Sequence, residues 1–337
     1  MPNDIYVNMH IKRSEWENLN PAELEVIKKR IFNHYRETGF PYYNQSVEKQ
    51  MHDMEQMNTY FKTNELIQGD VIKQTMHCLG TAWTHFPHAW SIKCNGKNTP
   101  MEVYDSDELF MKAITKRLKR GTYVTDSGIR KELKTTTGAQ SVSNFRPSAS
   151  RAIYDKYGGA GVTWDPSCGF GGRLLGAISS PVIKKYIGCE PSTQTMTGLI
   201  NMNDTLSNKA VELYSIGSED FEIKEKVDLI FTSPPYFNTE IYSDEETQSC
   251  NKFPEYRAWL DGYLYKTMIK VPNALKKGGH LVINIANTRN APNLVADFKQ
   301  IMANRKGMKL VETLKLSLSM INKNGFKYEP VFVYKKL

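Results

Sequence analysis

The stretch Val227-Asp228-Leu229-Ile230-Phe231-Thr232-Ser233-Pro234-Pro235-Tyr236 decides the class of fold. A short, mostly apolar run enters a polar turn that holds two prolines and an aromatic. Such a run before turn residues predicts a buried parallel strand. Pro234 and Pro235 lack N–H groups and have a fixed φ, so the strand must end there. The expectation is a stiff loop just past the carboxyl end of a strand, where open α/β sheets bind ligands. Its chemistry suits an amine: Ser233 Oγ and the carbonyl of Pro234 accept hydrogen bonds, and Tyr236 offers a flat face to a base. A plain surface turn is the competing reading of these residues alone.

Upstream, Val162-Thr163-Trp164-Asp165-Pro166-Ser167-Cys168-Gly169-Phe170-Gly171-Gly172-Arg173-Leu174 reads as strand, glycine turn and helix. Glycines in such a turn let backbone approach a cofactor closely. Asp-Pro-x-x-Gly-x-Gly followed by Ser-Pro-Pro-Tyr resembles the S-adenosylmethionine-dependent amino-methyltransferases, which methylate the exocyclic amine of cytosine or adenine in DNA. The resemblance covers roughly residues 142 to 337. It implies a doubly wound, mostly parallel, seven-stranded Rossmann-like α/β sheet with a C-terminal antiparallel hairpin, and S-adenosylmethionine as cofactor.

Working outward, Lys185 to Glu190 predicts the second strand. Glu190 stands where a carboxylate accepts hydrogen bonds from both ribose hydroxyls. Ala210 to Ile216 predicts the third strand, ending at Ser218-Glu219-Asp220-Phe221. The resemblance places an acid there against the cofactor's adenine amine; Asp220 is the choice and Glu219 the competitor. It also implies that Phe145 and Pro147, just before a helix over 148–157, lie over the methionine end of the cofactor. The cofactor set is then Phe145, Pro147, Asp165, Pro166, Ser167, Gly169, Phe170, Gly171, Glu190, Asp220 and Ser233. The catalytic set is Ser233, Pro234, Pro235 and Tyr236. Cys168 reads as a small packing residue. After Tyr236 comes a polar, acidic segment, 237–250, long enough to be a functional lid. A helix over 253–275, a Lys276–Gly279 turn, a strand over 280–287 and a helix over 295–305 follow. Two alternating runs, 309–320 and 328–335, joined at Asn322-Lys323-Asn324-Gly325, predict the hairpin.

Residues 1 to about 140 match no motif and form a mainly helical candidate DNA-recognition domain, ahead of a catalytic domain over 141–337. Asn20-Pro21-Ala22-Glu23 signals a helix start: N-cap, proline at the first position, capping-box acid. Leu24, Ile27, Ile31 and Tyr35 follow at helical spacing. Residues 46–68 read as a polar helix or a connection. His77, His85 and His88 with Cys78 and Cys94 have ligand chemistry but no zinc-site spacing, so no metal is expected. Trp83, Phe86 and Trp90 read as core or as an aromatic surface for bases. Between Leu109 and Lys134 the chain turns basic. Lys116, Arg117, Lys119 and Arg120 are the candidate phosphate contacts, against a solvated helix face.

The chain has 337 residues, a net charge of +8 and five cysteines, odd in number and scattered. These argue for free thiols in a reducing, cytoplasmic compartment. No apolar run approaches the ~20 residues of a membrane span, and residues 1–21 lack a signal-peptide core. The expected partner is DNA; the sequence does not speak to oligomeric state. Methyl transfer to an aryl amine is an in-line displacement at a weak nucleophile, helped by acceptors that hold the N–H groups and aim the nitrogen. The base must first leave the duplex. Ser at position 233 favours cytosine N4 over adenine N6, although the glycine motif preceding the Pro-Pro-Tyr motif is the less usual order for cytosine enzymes. Methylation of an RNA base or a protein amide, a nicotinamide dehydrogenase and a non-catalytic DNA-binding module are the competing functions. A cytosine C5 enzyme would need a cysteine at position 233.

Overall fold

A computed structural model of the protein describes residues 13–60, 62–136, 138–320 and 326–337. The chain divides into two compact units, Met1–Tyr43 with Pro87–Val142, and Asn44–Phe86 with Ser143–Leu337.

The larger unit is built on a mixed sheet. Its seven principal strands are β1 (Val162–Asp165), β2 (Lys185–Cys189), β3 (Ala210–Tyr214), β4 (Val227–Thr232), β5 (Leu275–Asn284), β6 (Met308–Met320) and β7 (Phe326–Lys336), in the order 6-7-5-4-1-2-3. β1 to β5 run parallel, and β7 runs antiparallel to both β5 and β6. The helices that bear on the site are α1 (Pro147–Tyr157), α2 (Gly172–Ser179), α3 (Thr193–Leu206), α4 (Lys266–Ala274) and α5 (Leu294–Ala303). Every residue of β4 is buried, as expected of a central parallel strand with both faces covered. Trp164, Ile187, Ile230, Leu281 and Phe332 from the sheet pack with Trp259, Met268, Leu294 and Phe298 from the helices. Each such buried side chain contributes ~1.5–3 kcal/mol. Asp228 ties three strands together at the amino end of β4: it accepts from Val162 N at 3.0 Å and from Lys276 Nζ at 2.9 Å.

The smaller unit is a helical cluster. The helix Pro21–Thr38 begins with the expected capping box between Asn20 and Glu23. Ile31 and Tyr35 pack against Phe110, Ile114 and Leu118 of the helix Asp107–Lys119 and against Ile129 and Leu133 of the helix Asp126–Thr135.

Several expectations differ from the structure. A single boundary near residue 140 does not describe the division, because residues 44–86 pack with the sheet. Arg151 Nη1 donates to Met57 O at 2.6 Å and Thr75 N to Ser148 Oγ at 3.0 Å. The short strand Val71–Ile72 also pairs with β6. Of the two readings of residues 46–68, the structure has the helix, Val47–Tyr60, which buries Met54 and Met57 beside its polar contacts. The helix expected over 253–275 is interrupted by a π-helical segment at Leu260–Tyr265, and Lys276–Gly279 lies within β5 rather than before it. The Asn322–Gly325 turn and Thr137 lie outside the described residues.

Candidate active site

The order of strands reverses between β1 and β4. Ligand sites of open α/β sheets lie at such a point, outside the carboxyl ends of the strands. Asp165 ends β1 and Thr232 ends β4, so the glycine turn and the Pro-Pro loop start side by side.

The glycine turn is braced from behind. Asp165 is fully buried; its carboxylate accepts from Ser167 N at 3.2 Å, Arg173 Nε at 2.8 Å and Tyr186 Oη at 2.8 Å. Arg173 also donates to the Ser167 carbonyl. Asp165 thus braces the turn through three hydrogen bonds of its buried carboxylate. Pro166 is buried beside it. Cys168 is buried, and that burial holds its thiol far above the ordinary range. Phe170 is also buried: its ring lies 5.4 Å from that of Trp83 and 5.7 Å from that of Phe86. The ring is therefore core, and only its backbone belongs to the turn. Trp83 and Phe86 are likewise buried.

Two glycines have contrasting jobs. A Cβ on Gly172 would fall 1.8 Å from the Phe145 carbonyl, so only glycine admits the segment 144–147 against the start of α2. That segment is held by Asn144 Nδ2 donating to Phe170 O at 2.8 Å, and the Phe145 ring packs edge-on to Phe231 of β4 at 5.3 Å. Pro147 is buried at the first position of α1. Gly169, at φ +55°, faces open space. Its N–H donates to Glu190 Oε2 at 3.0 Å, and Ser192 N donates to Oε1 at 3.0 Å. Burial pushes the Glu190 carboxyl up to about 7 against the pull of those two amides. Each oxygen retains acceptor capacity toward the open side of the turn. Gly171 packs against Met202 and Phe86.

Past β3 the two acids divide. Asp220 is exposed and paired with Lys252. Glu219 is buried; Oε1 accepts from Lys252 Nζ at 3.0 Å, while Oε2 has no hydrogen-bond partner among the described residues. A buried acceptor left unpaired costs ~1–3 kcal/mol, so Glu219 rather than Asp220 holds the capacity a ligand amine would use. Beside it, the Tyr263 hydroxyl shares a hydrogen bond with Ser167 Oγ at 2.9 Å. No sequence motif marks Tyr263. It comes from the π-helical segment, a feature that recurs at functional sites but has no signature in a helical pattern.

Beyond β4, Pro234 is buried and Ser233, Pro235 and Tyr236 are half-buried. Ser233 Oγ lies 3.4 Å from Asn284 Oδ1, and Tyr236 Oη lies 3.3 Å from Asn284 Oδ1 and 3.5 Å from Glu329 Oε2. Asn284 is fixed in turn by donating to Pro330 O at 3.1 Å. The segment after Tyr236 is not a free loop. Glu245 accepts from Thr193 N at 3.0 Å at the start of α3, and Tyr242 stacks edge-on to Phe170 at 6.0 Å. It thus covers the region next to Glu190.

The basic stretch of the smaller unit is largely committed to its own fold. Arg117 Nε donates to Tyr123 O at 2.9 Å, and Arg120 pairs with the fully buried Glu132, which Lys116 also approaches at 3.6 Å. Lys119 is exposed and shares a groove of about 550 Å³ with Lys28, Lys112 and Lys116. Among the described residues no group of three or more His, Cys, Asp or Glu is placed to hold a metal ion, and no helix is long and apolar enough to cross a membrane. All five cysteines are free.

Residues 227–336 match the model of a family described as N6/N4 DNA methylase. The matched stretch runs from the first residue of β4 into the end of β7. No curated protein sequence matches the chain. Among solved structures, TrmN from Thermus thermophilus is 16% identical, with a TM-score of 0.40, over 57% of this chain and 49% of that one, about half its length. An rRNA methylase from Streptococcus thermophilus is 14% identical, with a TM-score of 0.38, over 58% of this chain and 99% of that one. Magnesium protoporphyrin IX methyltransferase from Synechocystis, with bound S-adenosylmethionine, is 12% identical, with a TM-score of 0.38, over 57% of this chain and 76% of that one.

Proposed function

We propose that the protein is a DNA methyltransferase that transfers a methyl group from S-adenosylmethionine to the exocyclic amine of a flipped base, cytosine N4 being favoured. The observation that carries this reading is the adjacency, at one switch point, of an open glycine turn backed by Glu190 and an amine-accepting Ser-Pro-Pro-Tyr loop.

The residues fit the cofactor. The open side of Gly169 admits close approach, Glu190 accepts the ribose hydroxyls, and the unpartnered oxygen of Glu219 accepts the adenine amine. When bound, S-adenosylmethionine supplies an electrophilic methyl group on a sulfonium. Ser233 Oγ and the Pro234 carbonyl accept the two N–H groups of the base and aim its nitrogen. Tyr236 stacks on the flipped ring, a contact worth ~1–3 kcal/mol. Its hydroxyl, held between Asn284 and Glu329, fixes the plane of that ring before the base arrives. Phe145 and Pro147 close the methionine side. Cytosine is favoured because a neutral hydroxyl at position 233 can accept from the amine or donate to the neighbouring ring nitrogen, whereas a carboxylate only accepts. The exposed Lys119 of the smaller unit is the phosphate contact in this reading.

The test is mass spectrometry of digested DNA after incubation with protein and labelled S-adenosylmethionine, beside an RNA control. N4-methylcytosine is expected. N6-methyladenine alone would overturn the choice of base, and label in RNA with none in DNA would overturn the substrate.

A further inference from the structure

The sheet brings one acid to the catalytic loop that the motifs do not contain. β7 runs against the other strands, so its first residues lie level with the carboxyl ends of β4 and β5. Val331 pairs with Asn284, the last residue of β5, and Glu329 lies two residues earlier, opposite Leu316 of β6. Its Oε2 is 3.5 Å from Tyr236 Oη. The Ser233 and Tyr236 hydroxyls converge on one atom, Asn284 Oδ1, at 3.4 Å and 3.3 Å. Ser233, Tyr236 and Glu329 are therefore gathered at Asn284 as two neighbouring hydroxyls and a carboxylate, the order in which a proton can pass outward from the loop.

We propose that these three groups carry away the proton that the target amine must lose, with Glu329 as the terminal acceptor. The inference rests on the methyltransferase reading. As the nitrogen lone pair forms the new N–C bond, the C–S bond breaks with its electron pair left on sulfur, and the nitrogen becomes cationic. Ser233 Oγ accepts one N–H proton and releases its own to Tyr236 Oη. Tyr236 releases its proton to Glu329 Oε2. The products are a neutral methylamino base, two restored hydroxyls and a protonated Glu329, which returns the proton to water once the site opens. Backbone carbonyls hold an N–H well but do not take up its proton, and a stacked base shuts water out; both make a fixed acceptor useful.

The surroundings suit that role. Burial raises the Glu329 carboxyl above the ordinary range, toward the pH at which an acceptor is most effective, while Lys327 on the same strand, Asn284 and Tyr236 oppose the rise. Glu240 adds negative charge beside Tyr236. Lys315, on β6, is engaged by Asp70.

Two variants and two readouts test this. Glu329→Gln removes the acceptor and Tyr236→Phe cuts the path while keeping the stacking ring. In single-turnover methylation of DNA amplified in vitro, each is expected to lower the rate about 10²-fold, with little change in DNA affinity. The double variant should be no slower than either single one, because both cut one path. Without cofactor or DNA, carbon-13 NMR of the glutamate carboxyls, with the Glu329 signal assigned by its loss in Glu329→Gln, should show the Glu329 midpoint moving up in Tyr236→Phe. A wild-type rate in Glu329→Gln, multiplying losses in the double variant or an unmoved midpoint would each overturn the proposal. A wild-type protein that methylates neither DNA nor RNA would instead remove the function on which it rests.

Discussion

Replacing Glu190 by Gln should make the cofactor-free protein more stable at neutral pH while weakening its hold on the cofactor. The carboxyl is displaced from its ordinary value of 4.5 to about 7, chiefly by burial. A folded pKa above the unfolded one means that the folded chain holds the proton more tightly. Unfolding therefore becomes easier as pH rises from about 4.5 to about 7, and the full penalty stands above that window. At ~1.4 kcal/mol per pH unit, the displacement corresponds to about 3 kcal/mol. Glutamine carries no charge to desolvate, but its single oxygen keeps only one of the two backbone bonds from Gly169 and Ser192, a loss of ~1 kcal/mol. The net gain at pH 8 is about 2 kcal/mol; by pH 4.5 the charge contribution is gone and the variant is less stable by the ~1 kcal/mol of the lost bond. Urea unfolding of both proteins across this range reads it directly, and calorimetry should show weaker S-adenosylmethionine binding by the variant. A variant less stable than the wild type at pH 8, or a difference independent of pH, would refute the reasoning, because the acid would then be stabilising the turn rather than waiting for a ligand.

The two glycines should fail differently. Gly172→Ala drives a Cβ into the Phe145 carbonyl and is expected to cost ~3 kcal/mol or more of stability by denaturant unfolding. Gly169→Ala meets no atom but carries the strain of φ +55°, ~1–2 kcal/mol, and is expected to fold with cofactor binding abolished in calorimetry. In the smaller unit, Lys119→Ala should leave the melting temperature in place and reduce the salt slope of DNA binding by roughly one unit. Arg120→Ala strips a partner from the buried Glu132 and should instead lower the melting temperature. Ser233→Ala should act mainly on the rate constant, by ~10²–10³-fold, whereas Tyr236→Ala should act mainly on capture of the base, with cofactor binding intact in both.

The parallel half of the sheet was legible because its signals are local. The two motifs end strands with residues that cannot continue them, and the alternation after residue 308 announces the hairpin strands. The positions of Glu190 and Ser233 followed from the same logic, since a strand end fixes its next residue to within a few ångströms. What the sequence could not disclose are relations across distance. Whether Asp165 faces a ligand or an arginine depends on Arg173 and Tyr186 folding behind it. Glu219 and Asp220 are neighbours of one chemistry, separated only by which way each points. The basic stretch reads as a surface because Glu132, which absorbs Arg120, is invisible as a buried acid until its helix is packed. Residues 44–86 carry no motif, and their place beside β6 and α1 rests on a strand pairing and an Arg151 side chain reaching a backbone carbonyl, neither of which leaves a mark in the segment's own sequence.

The antiparallel strand has a chemical consequence as well as a topological one. In an all-parallel sheet, every strand presents only its last residues to the catalytic edge, and those positions are already taken by the glycine turn, Glu190, the acids after β3 and the Pro-Pro loop. Among the seven principal strands β7 alone arrives at that edge with its first residues, so it can bring a group that the other six have no room for. Ser233 makes such a group useful. A carboxylate at that position would hold the amine's proton itself and need no further acceptor. A hydroxyl can only pass the proton on, and Tyr236 Oη, which meets Ser233 at Asn284 Oδ1, and Glu329 are the groups placed to receive it. On this argument the serine and the glutamate are two parts of one arrangement: the charge absent from the loop stands on the reversed strand, with Tyr236 Oη between them.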